Sequence, residues 1–394
     1  MNIQAKSMEQ LSPMLEGIQP ISMEERRGRI RKVCDLMKAA GMEALFLDAT
    51  SSLYYFTGVS WSQSERITGA LVTAGGEVFF ITPAFELQRL AEMLSSGWDI
   101  RVWEEDEDPC LLISAILRER DINRGVLGLD SRARFFVARG LKRVLPEMDL
   151  ESADSVIVPC RLYKSEAEIA LMQRATDITA EAFKTCLSML REGMSQTEFR
   201  RLSIQAHQAM GVRGEIDIQF GPSTAFPHGS REVTFLKKGD VVLLDGGCRV
   251  EGYISDISRT VVFGEPTARQ REIWSLEKEA QAAAFKAAVP GAPCEAVDAA
   301  ARRVLEAHGF GPGFRLPGLP HRTGHGIGLD GHEWGDIVPG NRMSLAEGMC
   351  FSIEPMISIY GEFGIRLEDC VYMSSSGGRY FSQPSPDIET PFTP

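Results

Sequence analysis

From Met23 onward the chain switches repeatedly between helical and strand periodicity. An arginine-rich stretch with an apolar helical face runs to Ala40, and a short apolar run over residues 44–48 predicts a strand. A hairpin follows through Gly75-Gly76, then a helix over 86–94, a strand over 99–103, an acidic loop over 104–108 and further helix–strand units to about residue 158. Such alternation predicts a mixed or parallel sheet covered by helices. It carries no glycine-rich phosphate loop.

The pattern changes after Val158-Pro159. A short extended segment leads to Ser165, which forms a capping box with Glu168 and so satisfies the free amides of a helix start. Ile169, Met172, Phe183, Leu187 and Leu190 keep helical spacing until Gly193, and a second helix opens with Ser195 and Glu198 and stops at Gly211. Another pair of helices, around 267–288 and 296–308, is broken by Pro290-Gly291 and stopped by Gly309. Each helix pair precedes a loop histidine and an acidic hairpin. The order of elements predicts an α/β domain over 1–158 and a duplicated domain over 159–394, its two halves meeting across an approximate twofold.

The most informative stretch is 241–263, VVLLDGGCRVEGYISDISRTVVF. Two runs of β-forming residues flank Glu251-Gly252, a pair suited to a tight turn because glycine accepts positive φ. A turn there pairs Val250 with Tyr253 and, counting outward, Asp245 with Ser258. Asp256 projects from the same face, since side chains alternate with period two. Residues 349–373 repeat this logic: a loop centred on Gly361 sets Glu354 across from Glu368. Like charges facing each other destabilise a ladder unless something neutralises them. Between the hairpins, His325 lies in Thr323-Gly324-His325-Gly326-Ile327-Gly328, where glycine permits close backbone approach.

Asp245, Asp256, Glu354 and Glu368 bring four negative charges and His325 a neutral imidazole, a set that two divalent ions would balance. Oxygen-rich ligation with one nitrogen and no thiolate suits Mn²⁺, Co²⁺, Fe²⁺ or Zn²⁺, with Mn²⁺ the first choice. Arg366, two residues before Glu368 and on its face, is expected to orient a ligand carboxylate or to hold substrate.

The run Asp245…Asp256, the segment Gly324-His325-Gly326-Ile327-Gly328-Leu329 followed by His332-Glu333, the Ile353-Glu354-Pro355 turn and Gly364-Ile365-Arg366-Leu367-Glu368-Asp369 together resemble the pita-bread metallopeptidases. That family includes methionine aminopeptidase, aminopeptidase P, prolidase and the metal-free creatinase. The resemblance implies an α/β N-terminal domain, an α+β pita-bread catalytic domain with pseudo-twofold internal symmetry, and a homodimer. It implies a dinuclear centre ligated by Asp245, Asp256, His325, Glu354 and Glu368, with Asp256 and Glu368 bridging and a shared hydroxide as nucleophile. By the same resemblance His228 donates a hydrogen bond near the scissile amide, and His332 stabilises the tetrahedral oxyanion. Glu354 is expected to act as general base and then as acid to the departing amine. The two-domain length resembles prolidase or bacterial aminopeptidase P, and with it a small Xaa-Pro peptide as substrate. Methionine aminopeptidase would leave 1–158 unexplained. The Tyr54-Tyr55-Phe56-Thr57-Gly58 run resembles the N-terminal domain of creatinase and prolidase relatives, either as a lid over the partner subunit's active site or as an aromatic strand in the core.

Composition narrows the setting. At 394 residues, 44% hydrophobic and 24% charged, the chain can bury two cores. A net charge of −12 argues against a nucleic-acid or anionic-membrane partner, both of which need a basic footprint. The N-terminal residues show no apolar signal-peptide core and no run approaches a membrane span, which makes a cytoplasmic location the default. Eight cysteines lack CxxC spacing and several sit in apolar runs, so they are expected to be reduced and buried.

One departure matters. Prolidases often follow the second histidine with His-Glu-Trp-Pro-Arg, whose arginine grips the dipeptide's carboxylate. Here the run is His332-Glu333-Trp334-Gly335-Asp336, and an acid at that position repels a carboxylate. Dipeptide preference then has to come from Arg366, Arg322 or Arg213, or be weaker. The segment 377–394, rich in Ser and Pro, is expected as a site wall or a tail. An Xaa-Pro dipeptidase leads, beside an Xaa-Pro aminopeptidase acting on longer peptides. Behind these stand a non-peptidase enzyme of the same fold (creatinase, ectoine hydrolase or dimethylsulfoniopropionate lyase type) and a binding protein on a retired peptidase scaffold. The retained ligands count against the last.

Overall fold

The computed structural model describes residues 6–94 and 97–392, and the chain divides into two compact units: Ile21–Arg161, and Met1–Pro20 together with Leu162–Pro394.

In the first unit, β1 (Met42–Asp48), β2 (Gly69–Thr73), β3 (Val78–Pro83), β4 (Asp99–Trp103), β5 (Gly125–Leu129) and β6 (Met148–Ser152) form one sheet in the order β4-β3-β2-β1-β5-β6. The sheet is mixed, as the alternation predicts: β1–β5, β5–β6 and β3–β4 are parallel, β1–β2 and β2–β3 antiparallel. Phe46, Leu71, Phe79 and Leu127 from the strands meet Ile113 and Leu141 from helices Pro109–Glu119 and Phe135–Val144 to close one core. Tyr54, Tyr55 and Phe56 do not form the aromatic strand that their composition suggests. They lie in helix Ser51–Thr57, because the Thr50 side chain accepts from Ser52 N at one end and Gly58, at φ 84°, stops the other. Cap chemistry at both ends outweighs the weak strand preference of aromatics.

In the second unit the Ser165–Glu168 capping box is complete and starts helix Glu166–Ser188; Gln196–Ala209, Ala268–Ala287 and Cys294–Ala307 are the other long helices. Its strands are β7 (Arg213–Phe220), β8 (Val241–Val250), β9 (Tyr253–Ile254), β10 (Ile257–Val262), β11 (Gly324–Gly326), β12 (Glu333–Ile337), β13 (Cys350–Ile353), β14 (Met356–Ile359), β15 (Phe363–Arg366), β16 (Glu368–Ser374) and β17 (Gly377–Tyr380). The main sheet runs β12-β11-β13-β16-β10-β8-β7, with β9 on β8 and β17 on β16, while β14 and β15 pair separately. Outward from the central β10–β16 pair, β8 and β7 on one side answer to β13 and β11 on the other. Each half is preceded by a helix pair, so the duplicated order read from the sequence is the order of the sheet.

The C-terminal segment is packed structure over its described part. β17 pairs with β16, Phe381, Ile388 and Phe392 are buried, and Arg259 Nη2 donates to Gln383 O at 3.0 Å. Thr393 and Pro394 lie outside the described residues. All eight cysteines are free and buried. Among the described residues no helix is long and apolar enough to cross a membrane.

Candidate metal centre

Two hairpins build the site, and both take the registers that their turns dictate. Glu251 and Gly252 have φ of 48° and 84° in the first turn, Val250 pairs with Tyr253, and Asp245 lies opposite Ser258. In the second, the pairs Ile353–Asp369 and Met356–Arg366 share one register, which sets Glu354 opposite Glu368 where the chain leaves the main sheet for the β14–β15 pair. The halves join at Ser258, which pairs with Glu368 across β10 and β16. Asp245, Ser258 and Glu368 therefore form one row across three strands.

The carboxylates and the histidine converge. Asp256, His325 and Glu368 each bring one ligand atom within 4.8 Å of the other two. His325 Nε2 lies 3.1 Å from Glu354 Oε1 and 3.9 Å from Asp256 Oδ2. Ser258 Oγ is 2.9 Å from Asp245 Oδ1 and 2.6 Å from Glu368 Oε2, though a hydroxyl has one proton and can donate to only one of them. Glu368 Oε1 is buried with no hydrogen-bonding partner among the described residues. The guanidinium of Arg366, itself buried, sits 2.6 Å from Asp245 Oδ2, and its Nε donates to Ser258 Oγ at 3.1 Å.

Such crowding shifts the acids in opposite directions. Burial, reinforced by Glu368 and Asp245, pushes the Asp256 carboxyl well above the usual carboxylate range. Burial, with the charges of Glu354 and Asp245, pushes Glu368 up to about 8. Burial would also raise Glu354, but its hydrogen bond to His325 holds it down at about 2. The same contact overcomes the desolvation of His325 and lifts it to about 9.

This donor set fits a divalent cation. Among the described residues the one permanent cation in contact with these four acids is Arg366, on Asp245, and Glu368 Oε1 is buried without a hydrogen-bonding partner. His325 Nδ1 faces Gly326 O at 3.1 Å, so its proton goes there, and in the neutral ring Nε2 turns a lone pair toward the carboxylates. Asp245 and Asp256 border a cleft of about 690 Å³ lined also by Arg213, Asp217 and Arg249.

The remaining candidates fall around this cluster. The His332 ring lies against that of His325, tilted by 41° with ring centroids 4.0 Å apart. It is positioned by its neighbour Glu333, which pairs with buried Lys164 at 2.9 Å and accepts from Leu329 N at 3.0 Å. His228 is exposed in the turn after Pro227, whose carbonyl accepts from Arg366 Nη1 at 3.0 Å. His228 lies within electrostatic reach of His321. His321 is a residue that the sequence reading overlooked: its buried Nε2 has no partner among the described residues, and it lies within the electrostatic reach of Glu354 and Arg366. Its spacing of four from His325 in one loop was the available signal. Of the three arginines considered for a substrate carboxylate, Arg366 is taken by Asp245, Arg322 is paired with Asp336 at 2.5 Å, and Arg213 lines the cleft.

Residues 170–375 match metallopeptidase family M24, and residues 29–163 match the creatinase/prolidase N-terminal domain. An Xaa-Pro dipeptidase of Lactobacillus delbrueckii subsp. lactis is 32% identical over 368 residues, 91% of this chain and 97% of that one. The crystal structure of dipeptidase PepE from Mycobacterium ulcerans matches with a TM-score of 0.87 at 28% identity, covering 95% of this chain and all (100%) of that one. Recombinant prolidase from Thermococcus sibiricus matches with a TM-score of 0.84 at 30% identity, covering 92% and 98% of the two chains. With half the sequence matching the peptidase domain and a relative 32% identical over 91% of its length, the chain belongs to metallopeptidase family M24, in its two-domain form with a creatinase/prolidase N-terminal domain.

Proposed function

We propose that the protein hydrolyses the Xaa-Pro bond of dipeptides at a dinuclear metal centre held by Asp245, Asp256, His325, Glu354 and Glu368, with Mn²⁺ the first choice of ion. The observation that carries this reading is the convergence of Asp256, Glu354 and Glu368 on His325, with Asp245 joined to Glu368 through Ser258 and a Glu368 oxygen buried without a hydrogen-bonding partner among the described residues. The Xaa-Pro dipeptidase and prolidase named among its relatives support the substrate class. Divalent ions bound there would acidify a water and polarise the scissile carbonyl.

The chain's own residues divide the rest of the work. Glu354, whose carboxylate lies 3.1 Å from His325 Nε2, accepts the proton released by the attacking water and returns it to the departing nitrogen. That return matters for proline, whose tertiary amide nitrogen has no N–H and leaves as a secondary amine only once protonated. His332 and His228 serve as hydrogen-bond donors toward the scissile amide. Arg366 holds Asp245 in its ligating orientation, and with its guanidinium so engaged it is a positioning group rather than a substrate clamp.

Cleavage of the Xaa-Pro bond at the N-terminus of longer peptides is the second reading, and the pairing of Arg366 and Arg322 with acids favours it, since a dipeptide's carboxylate then has fewer cations to meet. Incubation of the purified, Mn²⁺-loaded protein with Ala-Pro and Ala-Pro-Ala, with dimethylsulfoniopropionate as control, decides among these. Release of alanine from Ala-Pro at the higher kcat/KM supports the dipeptidase, and turnover of dimethylsulfoniopropionate alone would overturn the peptidase reading. The same material on gel filtration tests the homodimer.

A further inference from the structure

Asp336, the acid standing where a carboxylate-gripping arginine was expected, is paired with Arg322 at 2.5 Å. The other half of that guanidinium lies 3.3 Å from His332 Nδ1. The backbone fixes the arrangement: Thr323 N donates to Ile337 O at 2.9 Å, bringing Arg322 alongside Asp336, while Asn341 Nδ2 donates to Asp336 O at 2.6 Å. Gly326 pairs with Glu333 further along the same two strands, which keeps His332 beside His325.

An arginine has donors only, so a hydrogen bond from its guanidinium to Nδ1 requires a lone pair there. A neutral imidazole whose Nδ1 is an acceptor carries its proton on Nε2. We propose that Arg322, anchored by Asp336, is a positioning residue that fixes His332 as the Nε2–H tautomer, so that His332 meets the developing negative charge on the carbonyl oxygen as a hydrogen-bond donor. The proposal rests on the peptidase reading for its catalytic consequence, and on geometry alone for the tautomer. No bond to His332 forms or breaks in this role: the proton stays on Nε2 while the ring stabilises charge that exists only in the transition state. In the alternative tautomer Nε2 would offer a lone pair to an oxyanion and repel it. The arrangement also accounts for the sign of residue 336. An arginine there would repel Arg322, whereas an aspartate holds it in place.

Magnitudes separate this role from a structural one. The Arg322 and Asp336 side chains are 32% and 40% exposed, and an ion pair so placed contributes little to folding. A residue that orients a catalytic side chain is worth on the order of 10–100-fold in rate. Removing Arg322 is therefore expected to leave the fold intact and to lower kcat.

The test uses full-length protein with ¹⁵N-labelled histidine. In the metal-free wild type, long-range ¹H–¹⁵N correlation spectra, with His332 identified by the signals lost in His332→Gln, are expected to show an unprotonated Nδ1 and a protonated Nε2. In Arg322→Met the two tautomers should mix, and Arg322→Lys, which keeps a cationic donor, should restore the wild-type pattern. With Mn²⁺-loaded enzyme and Ala-Pro, Arg322→Met and Asp336→Ala should lower kcat on the order of 10–100-fold with KM changed less than about threefold, and Arg322→Lys should recover most of it. A wild-type His332 protonated on Nδ1, or a tautomer indifferent to Arg322→Met, overturns the proposal. So does a rise in KM at unchanged kcat, which would make Arg322 the clamp for the substrate's carboxylate. If the wild type fails to cleave Ala-Pro the functional reading falls, and the spectra of the metal-free protein still decide the tautomer.

Discussion

His325 Nε2 and Glu354 Oε1 lie 3.1 Å apart, and in that contact the imidazole takes the place of a cation: its charge holds Glu354 ionised while Glu354 lifts the imidazole to about 9. An ion arriving at this site has to displace that proton and the one on Glu368, which burial pushes up to about 8. Below pH 8 both groups are protonated, so metal uptake releases protons and strengthens as the pH rises. Titration with Mn²⁺ at pH 6 and pH 8 is expected to show tighter binding at the higher pH, by up to about tenfold per pH unit for each proton released. Equal affinities would mean that the ion does not compete for these two groups.

Glu354 has two duties in the proposed reaction, ligation and proton transfer, and only the second requires a titratable group. Glu354→Gln is therefore expected to fold normally by circular dichroism and to lose at least about 100-fold in kcat on Ala-Pro, the size of a proton-transfer contribution. The metal content of the variant, measured by atomic emission, separates a lost proton carrier from a lost ligand. A variant that retains its metals and most of its kcat would remove Glu354 from the mechanism.

The two hairpin registers were legible in the sequence because each hangs on one local fact, a glycine at the turn, and period-two alternation carries that fact outward to Asp245, Ser258, Glu354 and Glu368. Helix starts at Ser165 and Ser195 were legible for a similar reason, since a cap is a contact over three residues. What could not be read depends on separations that no local rule spans. The Lys164–Glu333 pair joins residues 169 apart and fixes the loop that carries His332. The Arg322–Asp336 contact turns an apparent sequence anomaly into a neutral pair. At Tyr54–Phe56 a local rule was available and the wrong one was weighted: side-chain type suggested a strand, while the Thr50 and Gly58 caps decided for a helix.

Arg366 is 3% exposed and touches Asp245, Ser258 and the Pro227 carbonyl at once. Lysine keeps the charge but cannot fork to three acceptors, so Arg366→Lys is expected to weaken metal binding on the order of 10–100-fold with little change in fold. Arg366→Met also removes the charge and should destabilise the metal-free protein by about 2–3 kcal/mol. That is below the usual cost of breaking a buried pair, because the Asp245 side chain is 37% exposed and partly solvated. Urea denaturation with chelator present gives the second number, and metal titration the first. Equal metal affinity in the lysine variant and the wild type would show that charge alone suffices at this position.

Glu277 lies fully buried on helix Ala268–Ala287, with neither carboxylate oxygen in a regular hydrogen bond among the described residues. Burial pushes its carboxyl well above the usual carboxylate range, against the opposing pull of the Leu367 backbone and Arg366. In the unfolded chain it ionises near pH 4.3, while in the folded one it keeps its proton, so the folded state binds more protons and loses stability as the pH rises above that point. Glutamine reproduces the shape of the protonated acid without a charge to lose. Glu277→Gln is therefore expected to stabilise the protein at pH 8, on the order of 1–3 kcal/mol by urea denaturation, and the gain should shrink as the pH falls toward about 4.3 and close below it, where both side chains are neutral in either state. A gain independent of pH would place its origin in packing rather than in the buried proton, and a loss at pH 8 would mean that the ionised carboxylate has a partner worth more than its desolvation.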